Sequence, residues 1–174
     1  MKKVFLIATF MIAGIMGLKA QEGFKFGGGI RLALPVGTFA DSYSFGIGGE
    51  LQGEYGFSEK FSGIITSGYT SFFGKTVDFG APIGKIKIPA EGLIPIIVGA
   101  RVYPSTQFFV GAQVGYGILT GNGSSSGAFE YRPQVGYNGS NVQVALSYDG
   151  LSKNGSTLGH IGLTGIYKFG GGSK

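Results

Sequence analysis

The residues of this sequence that could do chemistry are few, and two carboxylates four positions apart come first. Glu50 and Glu54 lie in the segment YSFGIGGELQGEYGF (43–57), and paired carboxylates on one side of a strand could serve as general acid and base. Enclosed carboxylates also form ion pairs with arginine. The arginines that could pair with them are Arg31, Arg101 and Arg132. We favour ion pairing, because buried carboxylates without a cleft are usually structural.

His160 is the single histidine, and a His–Ser pair could activate a nucleophile. The same-face neighbours of His160 include no serine, so the constellation is incomplete. We expect a histidine that is hydrogen-bonded to its neighbours inside the protein. No catalytic residue is predicted.

No cofactor or metal is predicted. The chain has no cysteine, which excludes a disulfide scaffold, thiolate metal sites and a cysteine nucleophile. Nucleotide-binding and metal-binding sequence motifs are absent. The Asn-x-Ser triplets at 122–124, 138–140 and 154–156 have the form of glycosylation sites, but Asn-Gly is typical of turns and we interpret them as turns.

The elements that position these residues are strands, because apolar and polar residues alternate along most of the chain. In 43–57, Phe45, Ile47 and Leu51 share one face, and Glu50 and Glu54 share the other. The alternation predicts eight strands, at 24–34, 43–57, 61–73, 94–102, 108–118, 129–137, 142–148 and 159–169. Several match the roughly 9–11 residues that a membrane-spanning strand needs.

The polar face is interpreted as the inside of a barrel. Charged residues are only 13% of the chain, against about 25% in soluble domains. The polar face consists mostly of small residues, and the chain contains 35 glycines. Such a face suits the narrow lumen of an eight-stranded barrel. The predicted polar cluster of the lumen is Arg31, Glu50, Glu54, Arg101, Gln113, Glu130 and Arg132. The fold class is therefore all-β, an eight-stranded antiparallel up-and-down transmembrane β-barrel preceded by a helical signal peptide.

Aromatic residues near strand ends are predicted to form two girdles at the membrane interfaces. They are Tyr43, Tyr55, Phe57, Phe61, Phe73, Tyr103, Phe108, Tyr137, Tyr148, Tyr167 and Phe169.

Three regions divide the chain. Residues 1–20 have a basic start, an apolar stretch and a small residue at the end, which predicts a secretory signal peptide. The barrel follows at 21–169, and 170–174 is a short Gly-rich tail. The net charge of +5 falls to +2 once Lys2, Lys3 and Lys19 are removed, so no nucleic-acid partner is expected.

The connections alternate between short and long. The short ones are FSEKF, YPSTQ and YNGSN, the last with Asn138-Gly139 as a two-residue hairpin turn. The long ones are 35–42, 74–92, 121–127 and 149–157, which are predicted to lie outside the cell. The 74–92 loop is basic and partly apolar. It could be a lid, a ligand or adhesion surface, or a hairpin that extends the third and fourth strands above the membrane. Its lysines would be favourable near lipopolysaccharide phosphates.

Two segments resemble a known family. LPVGTFADSYSFGIGGELQGEYGFSEKFSGIITSGYTSFFGK (34–75) and IPIIVGARVYPSTQFFVGAQVGYG (94–117) are similar to the small outer-membrane β-barrel domain proteins, of the porin-like type found in Bacteroidetes-type bacteria. The resemblance implies an eight-stranded barrel located in the cell outer membrane of a Gram-negative organism. It implies no single activity. Family members usually end near the last aromatic residue, whereas GGGSK follows Phe169 here.

The expected function is non-enzymatic: a structural, adhesive or envelope-stabilising barrel with a side-chain-filled polar lumen. The alternative is a narrow channel for small or apolar solutes, because the glycines of the lumen face could leave space. An embedded lipid hydrolase and a soluble exported barrel are the remaining alternatives. Expected partners are outer-membrane lipid, lipopolysaccharide and the barrel-assembly machinery, and we expect a monomer.

Overall fold

The computed structural model describes residues 23–78, 84–121 and 123–169. The signal peptide predicted at 1–20 and the tail at 170–174 lie outside the described residues. Within those three ranges, no helix has the length and apolar character to cross a membrane.

Strands account for nearly all of the described chain. In chain order the elements are β1 Phe24–Val36, α1 Thr38–Ser42, β2 Tyr43–Ser58, β3 Phe61–Gly74, β4 Thr76–Asp78, β5 Lys85–Lys87, β6 Glu91–Ser105, β7 Phe108–Gly121, β8 Ser124–Asn138, β9 Val142–Lys153 and β10 Ser156–Phe169.

Eight of these strands close into an antiparallel up-and-down barrel, in the order β1-β10-β9-β8-β7-β6-β3-β2. The first and last barrel strands pair from Phe26 opposite Phe169 to Val36 opposite Gly159, so the barrel has no free edge. The predicted all-β, eight-stranded antiparallel up-and-down barrel is confirmed. We call the end that carries α1 and the β4–β5 hairpin the loop end, and the end with the connections 59–60, 106–107 and 139–141 the turn end.

The polar face is inside, as predicted. Apolar side chains point outward, and Ile30 on β1 is 65% exposed. β3 carries apolar residues on both parities, and the structure settles its register: Ile65 and Tyr69 are exposed, while Ile64 and Phe72 are buried in the lumen.

The lumen glycines mark places where neighbouring strands approach each other closely. A Cβ atom added at Gly29 would overlap the backbone oxygen of Gly165 on β10. Comparable overlaps with a neighbouring backbone occur at Gly48, Gly99 and Gly115. The expectation that lumen glycines leave space is therefore wrong at these positions, because the space belongs to the adjacent strand.

Most residues of two of the predicted long loops, 121–127 and 149–157, belong to strands. The strands β9 and β10 continue to Lys153 and from Ser156, and Asn154 and Gly155 have positive φ angles of 50° and 80°. This is the geometry that Asn-Gly adopts in two-residue hairpins. β7 and β8 likewise continue to Gly121 and from Ser124. The Ser-rich and Thr-containing flanks, predicted as loop, pair as strand.

The turn predicted at Asn138-Gly139 also differs. Asn138 is the last residue of β8, and the connection is three residues long, closed by a hydrogen bond of 2.9 Å from the Gly139 amide to the Val142 carbonyl oxygen. The 74–92 loop contains the small hairpin β4–β5, in which Thr76 to Asp78 pair with Lys85 to Lys87. Its residues 79–83 lie outside the described part of the chain.

Barrel closure can be tested at one strand pair with a matched control. We expect Gly29→Ala to lower the free energy of unfolding by about 1–3 kcal/mol, because the new methyl group requires β1 and β10 to separate. Gly165→Ala is the control, since an added Cβ there meets no atom within 4 Å. Urea unfolding in detergent micelles, followed by the mobility of the folded form on unheated gels, measures both. Equal stability of the two variants would contradict the close approach.

Candidate functional site

The described part of the lumen is filled by side chains, and an ionic cluster lies near the loop end. We define the loop-end ionic cluster as Arg31, Glu50, Glu130, Arg132 and Asp149, all buried. Arg31 Nη2 lies 2.5 Å from Asp149 Oδ2 and its Nη1 lies 3.3 Å from Glu50 Oε2. Arg132 Nη1 donates to Glu50 Oε2 at 2.8 Å, its Nη2 to Glu130 Oε1 at 3.2 Å, and its Nε to Asp149 Oδ1.

Neutral hydroxyl groups complete this cluster. Arg31 Nη1 donates to Thr164 Oγ1 at 2.8 Å, and its Nη2 donates to Ser147 Oγ at 3.1 Å. Ser147 Oγ donates in turn to Asp149 Oδ2 at 2.8 Å. Each arginine thus contacts several strands at once, which fixes the relative positions of those strands.

A second polar group surrounds Arg101 nearer the turn end. We call it the turn-end cluster; its members are Gln52, Glu54, Arg101, Gln134 and Gln143. Arg101 Nη1 donates to Glu54 Oε2 and to Gln143 Oε1, both at 3.0 Å. Its Nη2 donates to Gln52 Oε1 at 2.8 Å and to Gln134 Oε1 at 3.0 Å. The guanidinium carbon lies 4.3 Å from the centre of the Phe109 ring, a favourable cation–π geometry.

Gln113 links this cluster to the far wall of the lumen. Gln134 Nε2 donates to Gln113 Oε1 at 3.1 Å, and Gln113 Nε2 donates to Thr66 Oγ1 at 2.7 Å. Glu54 also accepts hydrogen bonds from Ser62 Oγ at 2.8 Å and from the Tyr103 hydroxyl. These contacts extend the polar filling across the width of the barrel.

Apolar side chains close the lumen above and below the polar layers. At the loop end, Phe39 of α1 enters the mouth of the barrel and packs on Phe72 and Tyr43, with ring centres 4.9 Å apart in both pairs. We define the loop-end cap as the buried cluster Ala33, Phe39, Phe72, Leu93, Leu119, Ala128 and Leu151. Toward the turn end, Tyr103, Phe109 and Ala145 form a smaller cluster.

The structure places all seven residues of the predicted lumen cluster inside the barrel and buried: Arg31, Glu50, Glu54, Arg101, Gln113, Glu130 and Arg132. Glu50 and Glu54 belong to different clusters, and each is paired with arginine. This favours the ion-pair interpretation over an acid–base pair. Asp149, Gln52, Gln134 and Gln143 were not in the predicted cluster, although the alternation placed them on the polar face.

His160 lies where the ionic cluster meets the loop-end cap. Its ring packs against Phe72 with centres 5.1 Å apart, and Nε2 lies 3.8 Å from Asp149 Oδ2. Neither ring nitrogen has a hydrogen-bond partner among the described residues, so the expected hydrogen bonds of His160 are not present. No described residues form a group of three or more carboxylate or imidazole side chains able to hold a metal.

Two residues of the predicted aromatic girdle point inward instead. Tyr103 shares the parity of Arg101 and is buried in the lumen. Tyr43 lies beside a register shift between Tyr43 and Gly46, which reverses its parity and turns it onto the loop-end cap. The other nine are exposed on the outer face: Tyr55, Phe57, Phe61, Phe73, Phe108, Tyr137, Tyr148, Tyr167 and Phe169.

The fold and the filled lumen define the class of closed eight-stranded antiparallel barrels with an apolar outer face and a polar interior. Solved outer-membrane barrels have this fold. The Yersinia pestis outer membrane protein Ail, solved in a phospholipid bilayer nanodisc, is 18% identical, with a TM-score of 0.58 over 85% of this chain and 100% of that chain.

Two further solved structures give the same result. The crystal structure of Ail, the attachment invasion locus protein, is 15% identical, with a TM-score of 0.55 over 86% of this chain and 100% of that chain. Neisserial surface protein A is 15% identical, with a TM-score of 0.50 over 85% and 98%. No protein-family model and no curated protein matches this chain. At these identities the likeness shows the fold.

The loop-end ionic cluster predicts a large effect of removing one arginine. We expect Arg132→Leu to lower the free energy of unfolding by about 3–5 kcal/mol, because three buried carboxylates lose a partner. Lys153→Leu is the control: Lys153 is exposed, and a surface change is expected to shift stability by about 0.5 kcal/mol or less. Urea unfolding in lipid vesicles is the measurement. A loss below about 1 kcal/mol in Arg132→Leu would show that the cluster is not structural.

Proposed function

We propose that this chain is a non-enzymatic outer-membrane β-barrel with a closed interior, which acts at its loop end as an adhesive or envelope-stabilising protein. The observation that carries the proposal is the packed lumen: two polar clusters lie across the barrel, and apolar side chains close it at the loop end. A barrel filled in this way leaves its exposed ends to make contacts with other molecules.

The outer face supports a membrane location. Large apolar side chains cover it, among them Leu34, Val98 and Val110, each more than half exposed. Exposed apolar area of this extent is unfavourable in water but suits hydrocarbon. Closure by β1 and β10 leaves no unpaired strand edge, which hydrocarbon also requires.

The interior disfavours the alternative of a narrow channel. Arg101 and Arg132 are both almost completely buried, and their side chains bridge facing walls of the lumen through the contacts described above. The lumen glycines add no space where a neighbouring backbone fills it. The interior also disfavours hydrolysis, because Ser147, which donates to Asp149, also accepts from Arg31 within the ionic cluster and is buried.

An adhesive role finds support in the loop end and in the fold neighbours. Lys85 and Lys87 are exposed on the β4–β5 hairpin, where they would meet lipopolysaccharide phosphates or other polyanions. The neighbours include the attachment invasion locus protein of Yersinia pestis, which has also been solved with the heparin analogue sucrose octasulfate. Lipopolysaccharide and the barrel-assembly machinery are the partners we propose, for a monomer. From the resemblance of segments 34–75 and 94–117, we also propose that the chain belongs to a Bacteroidetes-type family of small outer-membrane barrels.

Planar-bilayer recording tests the closed interior. We expect residues 21–174, refolded in detergent and inserted, to show no discrete conductance steps, because the clusters and the cap block the lumen. Insertion is verified by resistance of the barrel to added protease. Discrete steps whose size changes in Arg101→Ala would support the channel instead.

Cysteine labelling on intact cells tests the location and orientation, since the chain contains no cysteine of its own. We expect Lys153→Cys at the loop end to react with a membrane-impermeant maleimide. Thr106→Cys, exposed in a turn at the opposite end, is the matched control and should react only after the cells are opened. The reverse pattern would invert the proposed orientation, and labelling of both in intact cells would argue against a spanning barrel.

A further inference from the structure

A cavity of about 230 Å³ opens at the loop end, outside the packed lumen. It lies between the chain leading into β6 on one side and the β7–β8 hairpin on the other. The volume is below the roughly 300–1,000 Å³ of sites for drug-sized ligands, so the cavity suits a group of about one ring.

One carboxylate is held in place in the wall of this cavity. The Tyr43 hydroxyl donates to Glu91 Oε2 at 2.7 Å, and both side chains line the cavity. Within the described residues, Glu91 Oε1 makes no hydrogen bond and Glu91 forms no salt bridge, unlike the carboxylates of the lumen. A fixed, half-buried carboxylate whose second oxygen accepts no hydrogen bond from the described residues favours a ligand that carries a positive charge or hydroxyl donors.

The other walls combine hydroxyl groups with apolar surface. Ser124, Ser125 and Ser126 of β8 line one side, where serine hydroxyls both donate and accept. Ile88 and Leu119 also line the cavity and provide apolar contact. A carboxylate, several neutral hydroxyls and an apolar wall are complementary to a sugar ring, whose hydroxyls are at its edge and whose C–H groups are on its face.

The walls are held by backbone contacts. The Ile88 amide donates to the Lys75 carbonyl oxygen at 2.9 Å, and Gly121 pairs with Ser124 across the β7–β8 hairpin. A cavity with fixed walls binds a ligand without first ordering a loop, which favours binding.

We propose that this cavity binds an amino sugar, with its ammonium group on Glu91 and its hydroxyls on the serine wall. The site deepens the proposed function, because it would face outward only in a barrel oriented as proposed. Binding itself does not depend on that orientation, so the two proposals can fail separately. The sugar could come from the surrounding lipopolysaccharide or from a glycan on another surface.

Saturation-transfer NMR on the full barrel in phospholipid nanodiscs tests the site, with glucosamine, glucose and methylamine as probes. We expect glucosamine to bind more tightly than either of the others, since only glucosamine can engage both walls. Glu91→Gln should weaken glucosamine binding about tenfold or more, because it removes a charge-assisted hydrogen bond. Glu59→Gln, at an exposed turn of the opposite end, is the matched control and should leave binding unchanged.

A second variant tests the cavity without changing its charge. A Cβ atom added at Gly121 would lie 3.6 Å from Glu91 Oε2, so Gly121→Leu should fill the space beside the carboxylate and abolish binding in a barrel that still folds. The proposal is overturned if glucosamine does not bind, if methylamine binds equally well, or if Glu91→Gln and Gly121→Leu bind as the parent does.

Nanodiscs that contain lipopolysaccharide distinguish the two sources of the sugar. Displacement of glucosamine by lipopolysaccharide in both the parent and the Glu59→Gln control identifies the lipid as the natural source. Undiminished glucosamine binding in both indicates a glycan from outside the membrane.

Discussion

The structure depends on one constraint: charges enclosed in a narrow barrel must each find a partner there. Transfer of an unpaired charge from water into a low-dielectric interior costs several kcal/mol even after relaxation. Three arginines and four acidic residues offset this cost by pairing with one another; the acidic residues are Glu50, Glu54, Glu130 and Asp149. Their pairing therefore requires that strands distant in sequence lie at defined heights, as when Arg31 of β1 meets Asp149 of β9 at 2.5 Å.

The same constraint explains where the lumen has no side chain at all. An arginine spans most of the width of an eight-stranded barrel, so the residues around its head group must be small. Gly162 lies against the guanidinium of Arg31, and an added Cβ there would overlap it. A Cβ added at Gly111 would lie 2.8 Å from Arg101 Cγ. Glycines that face the lumen thus leave room for an arginine side chain or for a neighbouring strand. They do not indicate an open pore.

Most of the fold could be predicted from the alternation of apolar and polar side chains, because strand geometry fixes its period at two residues. It was enough to predict the eight strands and the buried position of residues such as Glu130. It failed where geometry departs from that period: the register shift after Tyr43 reversed one aromatic residue. Loop assignments failed for a different reason, since serines and glycines that are typical of loops also pair well in hairpins above the barrel. Phe39 could not be assigned to the cap, because its ring partner Phe72 is distant in sequence and shares no local pattern with it.

The two ends of the barrel differ in what they leave unpaired. In the lumen, each carboxylate contacts an arginine and the cap separates the ionic cluster from the loop end. Glu91 lies beyond that cap, and its hydrogen bond comes from the neutral hydroxyl of Tyr43. Tyr43, which was predicted to lie at the membrane interface, therefore orients the Glu91 carboxylate in the loop-end cavity. Because the ionic clusters hold the strands in register, the walls of this cavity are positioned by the lumen even though no lumen charge reaches it.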